Sequence, residues 1–131
     1  MLYLKYFALS FTFFIIIDLL WLGFIASNIY KHFLSDFLAS NVNWPAAIFF
    51  YLIFNIGLVF FVIAPAIEKN SLTYLMFHGA LFGLVTYSAY DLTNLATLKN
   101  WPLEIALIDI VWGIFLSISV SYLTFISAKA L

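Results

Sequence analysis

The sequence contains no cysteine and no arginine. Without cysteine there is no disulfide, no thiolate nucleophile and no cysteine-held metal or cluster. Without arginine there is no guanidinium fork to grip a phosphate or carboxylate at two points. Charge of either sign is scarce. Asp, Glu, Lys and Arg together make up 8% of 131 residues, where a soluble domain has about a quarter. Five lysines against six acids leave a net charge of −1. That balance supplies no basic stripe, and it argues against nucleic acid as a partner. What is abundant is apolar: 66% of the residues are hydrophobic and 21% aromatic. So few charges cannot cover a soluble 15 kDa globule, which excludes an ordinary soluble enzyme and a disordered tail.

The charges also fall in a pattern. Lys5, Lys31, Lys69, Lys99 and Lys129 are spread almost evenly, and residues 37–67 and 110–128 carry no charge. A membrane-crossing helix needs about 20 mostly apolar residues. Four segments meet that requirement, at about 6–28, 45–66, 72–94 and 103–127. The first begins like a signal peptide. Its apolar run is too long, Asp18 interrupts it, and no small-x-small cleavage site comes after it, so it reads as a true span. Period-2 alternation is missing, which argues against a β-barrel. The expected fold is an all-α integral membrane protein, a single domain over 1–131 built as a four-transmembrane-helix bundle. Membrane lipid is its expected surroundings.

The longest connection, about 29–44, carries Phe33, Leu34, Phe37 and Leu38 at helical spacing, which predicts a short interfacial helix in loop 1–2. Around Glu68–Ser71 a tight turn is expected, with Ser71 or Asn70 capping the third helix. The lysine count favours both termini in the cytoplasm, by one lysine. One echo is visible: Asn43-Trp44-Pro45 and Asn100-Trp101-Pro102 each open a span, 57 residues apart. Either the halves are duplicated, or the triplets independently suit a helix start at the headgroup layer.

Three aspartates sit within or at the ends of spans: Asp18, Asp91 and Asp109. Each costs about 2.5–3.5 kcal/mol at mid-bilayer, and less toward the ends. No lysine lies in a span to pair with them. Helical register puts each on a stripe of small or polar neighbours. Phe14, Asp18, Trp21 and Ile25 share a face in the first span; Ala47, Tyr51 and Asn55 do so in the second. The third span aligns Gly79, Gly83, Tyr87, Tyr90, Asp91 and Asn94, and the fourth Asp109, Gly113, Ser117 and Ser121. Gly79 and Gly83 form a G-x-x-x-G pair suited to close helix approach, with Gly113 and Ser117 as further packing positions. Trp112 lies at an intermediate depth. If the stripes face one another, they enclose a polar funnel that enters from the end bearing loops 1–2 and 3–4 and stops halfway. The competing explanation is that buried Asp and Asn only bond helices together.

Several chemistries drop out. No span lysine is present for a retinal Schiff base. Two histidines, one in a loop, make no bis-histidine haem site. No H-E-x-x-H or G-x-S-x-G motif occurs. No cofactor and no metal site is expected, and the absence of a nucleophile weighs against independent catalysis. His78 reads as a local hydrogen-bonding residue.

Asp18-Leu19-Leu20-Trp21-Leu22-Gly23, the run from Tyr87 through Asp91-Leu92-Thr93-Asn94 to Thr97, and Trp101-Pro102 with the later Asp109-Ile110-Val111-Trp112-Gly113 form a distinctive set. Over nearly its whole length the chain resembles a family of small bacterial four-helix membrane proteins catalogued as a domain of unknown function. The resemblance implies a bacterial inner (cytoplasmic) membrane protein and carries no activity or catalytic residue.

Three functions fit this reading. The funnel binds or translocates a proton or a small polar or cationic ligand, with Asp18, Tyr51, Asn55, Tyr87, Asp91, Asn94, Asp109, Trp21 and Trp112 as candidates. Alternatively, Asp91 and Asp109 serve a lipid-modifying enzyme or its accessory subunit. Or the polar stripes only specify packing in an assembly subunit. A chain of this size commonly needs a second copy to enclose a pathway, so a homodimer is an expected partner.

Overall fold

The apolar runs become helices because in lipid every backbone N–H and C=O must find its partner within the segment. The computed structural model describes residues 1–35, 37 and 43–131. Four helices within it are long and apolar enough to cross a membrane: α1 (Leu2–Leu34), α2 (Trp44–Lys69), α3 (Leu72–Thr97) and α4 (Leu103–Ala130). No strand occurs among the described residues. The four-span reading stands, and three of its spans match closely at both ends.

The first boundary moves. Residues expected to open a loop at 29 continue α1 without a break to Leu34. The separate interfacial helix is therefore replaced, through Leu34, by the end of α1; Phe37 follows in a turn, and Leu38 lies outside the described residues. The last stretch, Ser27–Leu34, is the amphipathic part, with Leu34 buried and Lys31 and His32 exposed. Helix α1 has 33 residues, about 50 Å at 1.5 Å per residue, well beyond a hydrocarbon layer of about 30 Å.

Two helices contain a π-turn, Trp21–Ala26 in α1 and Val59–Ile63 in α2. Such a turn accommodates one extra residue and rotates the rest of the helix about its axis. In α1 the buried positions Tyr6, Ser10, Phe14, Asp18, Ala26 and Leu34 fall at multiples of four. A regular α-helix would rotate such a row off its face. Ile25, expected on the buried face, is 56% exposed, while Ala26 is fully buried. In α2 the π-turn precedes Pro65, which has no N–H for the Phe61 carbonyl four residues earlier. The Tyr74 hydroxyl of α3 donates to that carbonyl at 3.2 Å.

The caps reflect side-chain chemistry. Asn43 accepts from the Ala46 N–H and starts α2, with Pro45 in its first turn. Asn70 ends α2 in the left-handed region, φ 47°. Ser71 accepts from the Tyr74 N–H at 3.0 Å and caps α3. The two Asn-Trp-Pro triplets are not equivalent. Asn100 is left-handed, φ 62°, and caps nothing, and Trp101 is 7% exposed against 56% for Trp44. Trp101 packs with Leu34 and Ile105 in a small cluster joining the end of α1 to the start of α4.

Helices α3 and α4 make the closest crossing. A methyl on Gly83 would collide with the backbone of Gly113 and Ile114, and one on Gly113 with the Tyr87 ring. A methyl on Gly79 would meet Ile118 at an ordinary 3.6 Å. Of the G-x-x-x-G pair, Gly83 thus carries the close approach, facing Gly113. Ser117 is fully buried on the same α4 face. The main core, Phe14, Phe54, Leu58, Val62, Ile63, Leu75, Leu116 and Val120 among others, lies on the side of this crossing away from loops 1–2 and 3–4.

Candidate functional site

Above that core, toward loops 1–2 and 3–4, the helices enclose a cavity of about 390 Å³. Helix α1 supplies Asp18, Trp21, Leu22 and Tyr30; α2 supplies Phe50; α3 supplies Thr86, Tyr87 and Tyr90; α4 supplies Asp109 and Trp112. Two acids and six aromatic side chains therefore line one space, with no lysine among them.

Asp18 and Asp109 are both buried, at 9% and 8% exposure. Asp18 stands beside Trp112 and Tyr51. The Trp112 Nε1–H is buried and makes no hydrogen bond of standard geometry. Asp109 accepts a hydrogen bond from the Tyr30 hydroxyl, and that same hydroxyl accepts from Trp21 Nε1 at 3.2 Å. The continuous helix through residue 34 makes this possible: it carries Tyr30 onto the face already occupied by Asp18, three steps of four residues on. Trp21 and Trp112 stack, ring centroids 4.3 Å apart and planes 9° from parallel. Two helices thus hold each other through an aromatic pair and a three-member hydrogen-bond chain.

Asp91 adjoins Asp109. It does not sit at a solvated helix end, since α3 runs on to Thr97 and Asp91 is fully buried, with both carboxyl oxygens unpartnered. Asn94 is partly exposed one turn further and does not line the cavity. Tyr90 lines the cavity while 57% exposed, its ring edge-on to Trp101.

Asn55 belongs elsewhere. Its side-chain oxygen accepts from Ser10 at 2.6 Å and its amide donates to the Tyr51 carbonyl, deep between α1 and α2. It is fully buried and absent from the cavity wall. Tyr51 is not in the cavity wall but stands beside Asp18 and packs against Phe50, both of which are. The structure therefore groups Asp18, Trp21, Tyr87, Asp109 and Trp112, sets Asp91 behind Asp109, and separates Asn55 and Asn94. Sequence reasoning missed Tyr30, Phe50 and Thr86. For Tyr30 the only signals were its four-residue phase with Asp18 and its 57-residue offset from Tyr87, the spacing that also separates the two Asn-Trp-Pro triplets. His78, at the opposite end of α3, bonds the Tyr74 carbonyl through Nδ1 at 2.9 Å and stacks on that tyrosine, as its local role predicts. Among the described residues no group of three or more His, Cys, Asp or Glu is placed to hold a metal ion.

A convergent pair of acids in a cavity walled by indole and phenol rings suits a positive charge. Carboxylates attract it directly, and the ring faces add cation–π attraction of about 0.5–2 kcal/mol each. No curated protein and no solved structure matches the chain. A family model described as a predicted membrane protein, DUF2177, matches residues 3–126. With four apolar spans and that match across nearly its whole length, the chain belongs to the DUF2177 family of membrane proteins.

Proposed function

We propose that the cavity is a binding site for a small organic cation, entered from the membrane face that carries loops 1–2 and 3–4. The observation that carries this reading is the joint lining of one 390 Å³ cavity by Asp18, Asp109 and aromatic rings, without a lysine. Buried acids inside a membrane are expensive and commonly mark ion or substrate sites. No side-chain cation in the cavity wall offsets them, so a ligand's positive charge is the missing partner. In the bacterial inner membrane, with both termini cytoplasmic as the lysines favour, the cavity faces the outer side. A second copy of the chain is the natural means of extending the site into a pathway.

The test is calorimetric titration of tetramethylammonium into the purified protein in a neutral detergent. Saturable binding is expected, weakened tenfold or more by Asp109→Asn and by Asp18→Asn. A packing-only role is favoured at one place, the Ser10–Asn55 bond, which is wholly internal. If both Asp→Asn variants change only the melting temperature, and the wild type binds no tetramethylammonium, the packing reading replaces the binding one.

A further inference from the structure

The Trp21–Trp112 pair has two sides. One lines the acid cavity. The other lines a separate groove of about 420 Å³ between α1 and α4, completed by Leu107, Ile108, Val111 and Phe115. Apart from the two indoles every side chain in that groove is hydrocarbon. Leu107, Val111 and Phe115 are 55%, 67% and 57% exposed, so the groove faces outward to the lipid. An acid-lined chamber and a lipid-facing apolar groove thus share the same two-ring wall.

We infer that the ligand is a membrane amphiphile, an alkyl or acyl chain bearing an ammonium headgroup, with its head in the acid cavity and its chain in the groove. This rests on the cation reading above and specifies its substrate class. Charge complementarity places the head, because Asp18 and Asp109 lie only on the cavity side. Continuity places the chain, because the same two rings, Trp21 and Trp112, line both the cavity and the groove. A fully soluble cation would have no use for the outer face of that wall. A neutral lipid would have no use for the inner one. The chain end stays within the hydrocarbon layer throughout, so such a ligand arrives laterally from the bilayer.

The test uses the whole protein in lipid nanodiscs. Trp44→Phe and Trp101→Phe leave Trp21 and Trp112 as the only indoles. The probe is dodecyltrimethylammonium brominated at the chain terminus, since bromine quenches indole fluorescence on contact. Saturable quenching is expected, reduced at least tenfold in apparent affinity by Asp109→Asn. Val111→Phe, at an outward position, is expected to abolish the quenching while leaving tetramethylammonium binding unchanged. Linear, unsaturable quenching equal to that by a brominated neutral lipid, alongside normal tetramethylammonium binding, would overturn the amphiphile inference and leave the cation site standing. Failure of both ammonium compounds to bind would overturn both.

Discussion

Trp21 of α1 lies face to face with Trp112 of α4, centroids 4.3 Å apart, and this one contact forms the wall between the acid cavity and the outer groove. Stacked aromatic pairs contribute about 0.5–1.5 kcal/mol beyond their buried area. A double-mutant cycle with Trp21→Leu and Trp112→Leu should return a coupling energy in that range, read from unfolding in mixed micelles. A coupling near zero would mean that the rings pack independently and do not act as one wall.

The Tyr30 hydroxyl links the end of α1 to Asp109 while accepting from Trp21. Tyr30→Phe removes both bonds and leaves the buried Asp109 carboxylate and the half-buried Trp21 N–H without that partner. A loss of about 1–3 kcal/mol is expected. Hydrogen exchange should rise first over Ser27–Leu34, the part of α1 that this bond holds.

The two glycines of the G-x-x-x-G pair should separate. Gly83→Ala drives a methyl into the Gly113 backbone and should destabilise by about 1–3 kcal/mol. Gly79→Ala meets only ordinary contact and should stay within about 0.5 kcal/mol of wild type, or gain from helix propensity. Equal melting temperatures for the two variants would show that α3 and α4 do not cross at Gly83.

Asp91 is buried against Asp109 with no partner for either oxygen. Asp91→Asn keeps the shape, removes one of two neighbouring acids and gives Asp109 an amide donor. A rise of about 1–3 kcal/mol in stability is expected, seen as a higher melting temperature. Asp91→Leu supplies no donor and should gain less. A lower melting temperature for Asp91→Asn would instead point to a partner that Asp91 alone can hold.

Much of the fold was legible in the sequence because it is local. Whether a segment can cross a membrane depends on its own length and polarity, so α2, α3 and α4 begin and end close to where the apolar runs do. The burial of Asp18 and Asp109 was implied by cost and register together, since a charged side chain in a span must turn away from lipid. Gly83 and Gly113 stood out for the same reason: small residues recur where backbones approach.

What the sequence left open depends on how separate helices meet. The π-turn at Trp21–Ala26 turns Ala26 inward and leaves Ile25 exposed, which a fixed 3.6-residue period cannot anticipate. The uninterrupted run of α1 to Leu34 brings Tyr30 to Asp109, a contact across 79 residues of chain. The axial register of α1 against α2 pairs Ser10 with Asn55, taking that amide away from the cavity. Composition and spacing by themselves determined a four-span membrane protein with acids on its inner faces, because lipid acts on each residue separately. Only the tertiary structure decided which acids share a chamber and which rings wall it. That outcome rests on the relative sliding and rotation of the helices, which no single segment encodes.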